Sequence, residues 1–108
     1  MKMIKAIIRN EKADEVCQEL LKAGFPAVTR IDVYGRGKQK GLQVGSVFYD
    51  ELPKKLMLIV CEDDQEKTVV ELICKHAKTG SEGNYGDGRI FVSEVQEAYT
   101  ISSQKQEL

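Results

Sequence analysis

The sequence predicts an α+β fold in which two helices cover one face of an antiparallel sheet. Two observations support this prediction. Hydrophobic patterns follow each other in the order strand, helix, strand, strand, helix, strand, and the 108 residues are enough for one hydrophobic core but not for two. This order is that of the split βαβ, or ferredoxin-like, arrangement βαββαβ, within a single domain at residues 1–108.

The first half of the chain begins with an isoleucine-rich strand, Lys2–Arg9. Apolar residues then recur at helical spacing over residues 12–23, which predicts an amphipathic helix. Asn10 is a candidate N-cap, and Gly24 is expected to end the helix as its C′ residue. Polar and apolar side chains alternate over residues 27–34, so a second strand follows.

The second half begins with an almost unbroken apolar run, Lys55–Cys61, as expected of a central strand covered on both faces. The acidic run after it fits a helix N-terminus, with Asp63 as N-cap and Glu66 as its N3 partner. We expect the second helix at residues 65–78 and the fourth strand at residues 89–95.

Two helices on one side of a sheet leave its other face open. An uncovered apolar face is usually closed by self-association, so we expect a closed ring of subunits, most simply a trimer. The polar C-terminal tail, residues 96–108, is expected to add a short edge strand around Tyr99 and then to fray.

Composition excludes several classes of function. Sixteen basic against 17 acidic residues provide no general attraction to nucleic acid or membranes, and no apolar run approaches the about 18 residues that span a bilayer. The start does not resemble a signal peptide, so a cytoplasmic location is expected. A single histidine, His76, forms no metal pair, and we expect no enzyme. Three cysteines without a Cys-x-x-Cys pair predict buried thiols: Cys17, Cys61 and Cys74.

The stretch Thr79–Val92 contains four glycines directly before the fourth strand. Glycine adopts positive φ at little cost and lets a ligand approach the backbone, so such loops often hold phosphates with main-chain N–H groups. The same composition is also typical of a plain turn between a helix and a strand. The residues alone leave both interpretations open.

The stretch Gly35–Pro53 is too long for an ordinary hairpin loop. Its first half is basic and rich in glycine, and its second half is apolar. A hairpin extension with a Gly45–Ser46 turn is one interpretation. Either way the apolar residues favour a protein partner, and the candidate contact residues are Val44, Val47, Phe48 and Tyr49.

Five segments, in order and with compatible spacing, carry a resemblance to the PII signal-transduction, or nitrogen regulatory, family. They are Met1–Arg9, Gly35–Gly41, Leu52–Lys54, the acidic run before the second helix, and Thr79–Gly80 with Gly86–Val92. The resemblance implies a homotrimer or mixed trimer that senses rather than catalyses. It implies binding of ATP or ADP between subunits, with Mg²⁺ and 2-oxoglutarate beside the nucleotide. It also implies a T-loop at residues 36–53 and a B-loop at residues 79–89.

The resemblance assigns site residues position by position. Nucleotide binding is assigned to Thr29, Gly35, Gly37, Lys38, Gln39, Lys40, Thr79, Gly86, Asp87, Gly88 and Arg89. Binding of 2-oxoglutarate is assigned to Gln39, Lys40, Gly41 and Lys54. The side chain of Gln39 is also assigned to the Mg²⁺ ion, which prefers oxygen ligands.

Three departures from the family pattern matter. The T-loop is four residues shorter and lacks the usual modified stretch, so Tyr49 is not expected to be a modification site. The B-loop is three residues longer. The tail has Thr100 and Ser102 where the family has two arginines. Their loss is expected to weaken ATP binding by about 3 to 6 kcal/mol unless another group compensates.

These departures resemble the nitrogenase-regulating branch of the family in methanogenic archaea and some bacteria. That resemblance implies a paralogous PII subunit as partner, which supplies the missing arginines, and nitrogenase as the target of the T-loop. The alternative target is an ammonium transporter or glutamine synthetase.

Overall fold

A computed structural model describes residues 1–37 and 51–108. Two α-helices cover one face of a four-stranded antiparallel sheet, which confirms the predicted ferredoxin-like α+β fold. The elements are β1 (Lys2–Arg9), α1 (Ala13–Lys22), β2 (Thr29–Gly35), β3 (Leu52–Cys61), α2 (Glu66–Ala77), β4 (Gly88–Glu94), β5 (Tyr99–Thr100) and β6 (Lys105–Gln106). Neither helix in these two ranges has the length and apolar character needed to span a bilayer.

The sheet has the strand order β2-β3-β1-β4, so β1 and β3 are the central strands. Successive strand residues point to opposite faces, and one face packs on the helices. The buried hydrophobic core lies there and consists of Ile4, Ala6, Ile8, Ala13, Val16, Leu20, Met57, Ile59, Cys61, Val69, Ile73 and Ala77. On the other face, Leu56, Leu58 and Val60 of β3 are only half-buried. Coverage of β3 on both faces is therefore not complete within one chain.

Helix α1 begins differently from the prediction and ends as predicted. A 3₁₀ turn, Asn10–Lys12, leads into the helix and no side chain caps it, so the assignment of Asn10 as N-cap is wrong. Gly24 has φ +92°, and its N–H donates to the carbonyl of Leu21 at 3.1 Å. The Phe25 N–H donates to the carbonyl of Leu20 at 2.8 Å, which completes a Schellman motif.

The N-terminal cap of α2 lies one residue earlier than predicted. Glu62 occupies the N-cap of the 3₁₀ turn Asp63–Gln65, and its N–H donates to Gln65 Oε1 at 3.0 Å. The prediction of Asp63 with Glu66 is therefore wrong in register, because the chain enters α2 through a tighter turn. Asp63 instead accepts a hydrogen bond from the N-terminal ammonium at 2.9 Å.

Two further predictions need correction. The tail does not extend the main sheet, because β5 and β6 pair with each other, with Tyr99 opposite Gln106. Of the three cysteines, Cys61 is buried, Cys17 is half-buried and Cys74 is exposed. The predicted burial of Cys74 is therefore wrong.

Candidate functional site

The B-loop crosses the end of β1 and packs tightly against its backbone. Gly88, the first residue of β4, pairs with Ile8. It has φ +116°, and a Cβ atom built on it lies 1.8 Å from the Ile7 carbonyl oxygen. No other residue type fits so close to the neighbouring strand. Glycine at position 88 is therefore required by this contact, whether or not a ligand binds.

The carboxylate of Asp87 joins the two ends of the B-loop. Oδ1 accepts hydrogen bonds from Thr79 Oγ1 at 2.6 Å and from Arg9 Nε at 2.9 Å. Oδ2 accepts from the backbone N–H groups of Thr79 at 3.0 Å and Asn84 at 2.9 Å. One side chain thus fixes the first residue, the middle and the last turn of the loop, and ties them to β1.

These contacts decide the protonation of Asp87. Burial raises the pKa of this carboxyl group, but hydrogen bonds from Thr79, Asn84 and Arg9 favour the ionised form and outweigh burial. The net effect holds the pKa of Asp87 well below its usual range. Asp87 is therefore a carboxylate at neutral pH, and the guanidinium of Arg9 lies against it.

Two cations lie side by side under the B-loop. Arg9 of β1 and Lys54 of β3 are directly opposite each other in the antiparallel register. Arg9 Nη2 donates to the Tyr85 carbonyl at 3.0 Å, and Lys54 Nζ donates to the Gly86 carbonyl at 2.7 Å. Like charges placed opposite each other in a sheet repel. The fold holds them together by giving each a main-chain oxygen of the B-loop.

Lys54 is the buried cation of the pair. It is 7% exposed, and burial together with the nearby charge of Arg9 lowers its pKa. None of the ion pairs within residues 1–37 and 51–108 includes Lys54. A buried ammonium with one carbonyl partner is costly unless an anion joins it. Arg9 also lies 3.9 Å from Glu11, so two carboxylates, Glu11 and Asp87, face this pair. Arg36 and Arg89 line the same end of the sheet, so among the described residues positive charge is in excess there.

An open cleft of about 640 Å³ is lined by Lys54 of this pair but not by Arg9. Its volume is in the range of small-molecule sites. Its walls come from the end of β2, from β3 and from the B-loop, and they include Ile7, Gly35, Arg36, Gly37, Lys54, Tyr85, Gly86, Asp87, Gly88, Arg89 and Phe91. The structure thus brings together Gly35, Gly37, Lys54 and Gly86–Arg89 from the residues assigned by sequence.

A second cavity of about 740 Å³ lies on the other side of the B-loop, under α2. Adjacent strand residues separate the two spaces. Ile7 and Phe91 line the cleft, whereas Ile8 and Ile90 line the cavity under α2. The cavity under α2 has two acids, Glu82 and Asp87, beside Lys78 and Arg89. The described lining of the cleft has three cations and only the carboxylate of Asp87, so the cleft is the space better suited to an anion.

Other assigned residues are not in the cleft. Thr29 and Gly35 are the two ends of the seven-residue strand β2, about 20 Å apart, so Thr29 does not line the same cleft. Thr79 lies behind the B-loop wall, bonded to Asp87. The assigned positions Lys38, Gln39, Lys40, Gly41, Val44, Val47, Phe48 and Tyr49 lie outside the described residues. Thr100 pairs with Lys105 in the tail hairpin.

Arg9 is the site residue that the sequence assignments missed. It ends the segment Met1–Arg9, which carries the family resemblance but was assigned no role, and only the antiparallel register shows that Arg9 lies opposite Lys54 and under the B-loop. Metal binding by protein side chains alone is not supported in the described part of the chain, where no cluster of three or more histidine, cysteine or acidic side chains has suitable geometry.

Comparison with known proteins identifies the family of this chain. The family model for nitrogen regulatory protein P-II matches residues 1–105. The chain is 54% identical over 101 residues to nitrogen fixation nifHD region GlnB-like protein 1 of Methanococcus maripaludis, covering 94% of this chain and 93% of the relative. It is 51% identical over 108 residues to the protein of that name from Methanothermobacter marburgensis, covering all of both chains.

A third relative carries a different name within the same group. Nitrogen regulatory protein P-II 2 of Methanothermobacter thermautotrophicus is 44% identical over 105 residues, covering 94% of this chain and 89% of the relative. The match to the family model over nearly the whole length, the ferredoxin-like fold and three relatives with consistent names agree. The chain belongs to the nitrogen regulatory protein P-II family.

Proposed function

We propose that this protein is a P-II sensor that binds ATP or ADP together with Mg²⁺ and 2-oxoglutarate. The observation that supports this most strongly is the buried ammonium of Lys54, opposite Arg9 and facing an open cleft under the glycine-rich B-loop. A dicarboxylate at Lys54 and phosphates at the B-loop supply the missing negative charge. The protein acts as a sensor and not as an enzyme.

The nucleotide site is proposed to lie between subunits. Thr29 is about 20 Å from the cleft of its own chain, so it reaches a nucleotide only in the cleft of a neighbour. The open sheet face supplies a surface for this neighbour, because Ile31 and Phe91 are 41% and 51% exposed there. Burial of such side chains stabilises a closed ring, most simply a trimer.

The neighbour is proposed to include a second, paralogous P-II chain. Thr100 and Ser102 supply no cation for phosphates, whereas a paralogue with arginines at these positions does. The names of the relatives from Methanococcus maripaludis and Methanothermobacter marburgensis place those proteins in a nitrogen fixation gene region. We therefore propose nitrogenase, in the cytoplasm, as the enzyme that this sensor controls through its T-loop.

Calorimetric titration of MgATP, with and without saturating 2-oxoglutarate, tests the ligand site. Wild type is expected to bind MgATP more tightly with 2-oxoglutarate. In Lys54→Met the affinity for MgATP in the presence of 2-oxoglutarate is expected to fall by a factor of about 30 or more, so that the gain is lost. Lys67→Met, an exposed lysine on α2, is the matched control and is expected to behave as wild type. No binding of either ligand to the chain, alone or with the paralogue, contradicts the proposal.

Nitrogenase assays with purified components test the proposed target. The mixed assembly is expected to inhibit nitrogenase, and MgATP with 2-oxoglutarate is expected to release the inhibition. Deletion of residues 40–49 is expected to abolish inhibition while the assembly remains intact. Unchanged nitrogenase activity, with binding to an ammonium transporter or glutamine synthetase instead, shows that the target is wrong although the sensor is right.

A further inference from the structure

The carboxylate of Asp87 has no remaining capacity for a ligand. A carboxylate accepts about four hydrogen bonds, and Asp87 receives four, from Arg9 Nε, Thr79 Oγ1, Thr79 N and Asn84 N. Its side chain is only 17% exposed. A direct contact with Mg²⁺ or with a nucleotide hydroxyl would require breaking one of these short bonds.

The electrostatics of the B-loop lead to the same conclusion. A free carboxylate beside a triphosphate repels it, whereas here the guanidinium of Arg9 lies 2.9 Å from Asp87 Oδ1. Arg9 and Lys54 also hold the successive carbonyls of Tyr85 and Gly86, so these oxygens point to protein cations. The carboxylate of Asp87 and these two carbonyl oxygens are thus all bound within the protein.

The four bonds also shape the loop before any ligand arrives. They connect residues eight positions apart, Thr79 and Asp87, across a glycine-rich segment that is otherwise costly to order. Ordering this segment in advance lowers the cost of binding.

From these contacts we propose that Asp87 and Arg9 are positioning residues, which give the B-loop its phosphate-binding shape without touching the nucleotide or its metal ion. Thr79 and Asn84 are their partners in the loop. Asn84 falls within the part of the B-loop that is longer than the family pattern, so the extension contributes to this bracing. The inference rests on the proposed nucleotide site, but its first test below does not.

The first test uses the protein without ligand. Asp87→Asn keeps the size of the side chain but replaces one accepting oxygen by an NH₂ donor. This donor opposes either the two backbone N–H groups or the N–H of Arg9 Nε, so the loop loses bonds in both orientations. Hydrogen exchange measured by NMR is expected to become about tenfold faster at the amides of Thr79 and Asn84 than in wild type. Asp64→Asn, an exposed acid outside the loop, is the matched control. Unchanged exchange at both amides overturns the bracing role.

The second test measures nucleotide binding with and without Mg²⁺. A positioning role predicts that Asp87→Asn weakens ATP about tenfold in both conditions, because the loop shape is lost in both. A metal ligand predicts a loss only with Mg²⁺, and that result overturns the proposal. Equal affinity of wild type and Asp87→Asn overturns it as well. If wild type binds no nucleotide, the proposed function fails while the hydrogen exchange test still decides the bracing role.

The third test asks whether Arg9 and Thr79 act through Asp87. Thr79→Val removes one donor to Asp87 and is expected to weaken ATP, whereas Thr79→Ser keeps the hydroxyl and is expected to restore most of the affinity. Arg9→Gln combined with Asp87→Asn is expected to lose less affinity than the sum of the two single losses, because the variants break a shared contact. Additive losses, or no rescue by serine, contradict a shared role.

Discussion

Lys54 and Lys55 are neighbours on β3, yet their surroundings differ completely. The ammonium of Lys55 forms an ion pair with Asp32 on the helix-covered side of the sheet. Lys54, on the opposite face, is buried opposite Arg9 with only the Gly86 carbonyl as its partner in the described chain. The comparison separates two uses of charge. Lys55 contributes to a surface, whereas Lys54 places a buried charge at the cleft that we propose as the ligand site.

The same contrast appears between two glycines with positive φ. Gly24 ends α1, and a Cβ built on it has nothing within 4 Å. Gly88 lies under the cleft, and its Cβ meets the backbone of β1. Glycine at position 24 is required only by its positive φ angle. Glycine at position 88 is required by its positive φ angle and also because a Cβ atom has no room beside β1.

The largest expected effect follows from this difference. Gly88→Ala is expected to destabilise the protein by about 4 kcal/mol or more, because backbone cannot move away from the new atom cheaply. Gly24→Ala is expected to cost only about 1 to 2 kcal/mol, from its φ angle alone. Urea denaturation of both variants measures the two free energies of unfolding. Equal costs would show that the B-loop is not packed on β1 as described.

The next largest effect is on the stability of the protein at low pH. Because the folded-state pKa of Asp87 is lowered, its carboxylate contributes stability above the unfolded pKa, about 3.9, and loses it as the pH falls further. Asp87→Asn is expected to cost about 1 to 3 kcal/mol at pH 7. Urea denaturation is expected to show a smaller difference between wild type and variant at pH 3 than at pH 7. A difference that grows on acidification contradicts the assigned charge.

The smallest effect is on the stability of the protein at high pH. Because burial lowers the folded-state pKa of Lys54, the unfolded chain keeps this proton to higher pH, and the free energy of unfolding rises with pH toward about 10.4. Wild type is expected to gain stability relative to Lys54→Met between pH 8 and pH 10, by about 1 kcal/mol or less. Lys55→Met is the control, because it removes a lysine that forms an ion pair with Asp32. A loss of stability over this range would place Lys54 in a different environment.

Periodicity was sufficient to predict the sheet, the two helices and the Schellman end at Gly24. It failed at both helix starts, because 3₁₀ turns at Asn10–Lys12 and Asp63–Gln65 shift the caps by one or more residues. It also failed for the tail, since strand propensity at Tyr99 does not reveal whether a strand pairs with the sheet or with its own hairpin.

The site was predictable only in part, and for a physical reason. Glycines and lysines with local motifs, such as Gly86–Arg89 and Lys54, are visible in the sequence. Arg9 was missed because its role depends on an antiparallel register that brings residues 45 positions apart into contact with the B-loop. The bonds of Asp87 likewise depend on the loop closing, so sequence reasoning assigned it to the ligand and not to the loop.

The most direct test of the central account is the coupling between ATP and 2-oxoglutarate, measured in both directions by calorimetry. Titration of MgATP with and without 2-oxoglutarate, and of 2-oxoglutarate with and without MgATP, is expected to give the same factor of enhancement, because linkage is reciprocal. In Lys54→Met both factors are expected to fall to about 1, and in Lys55→Met both are expected to remain. Enhancement that survives in Lys54→Met would contradict the claim that the ammonium of Lys54 is the binding site for the dicarboxylate.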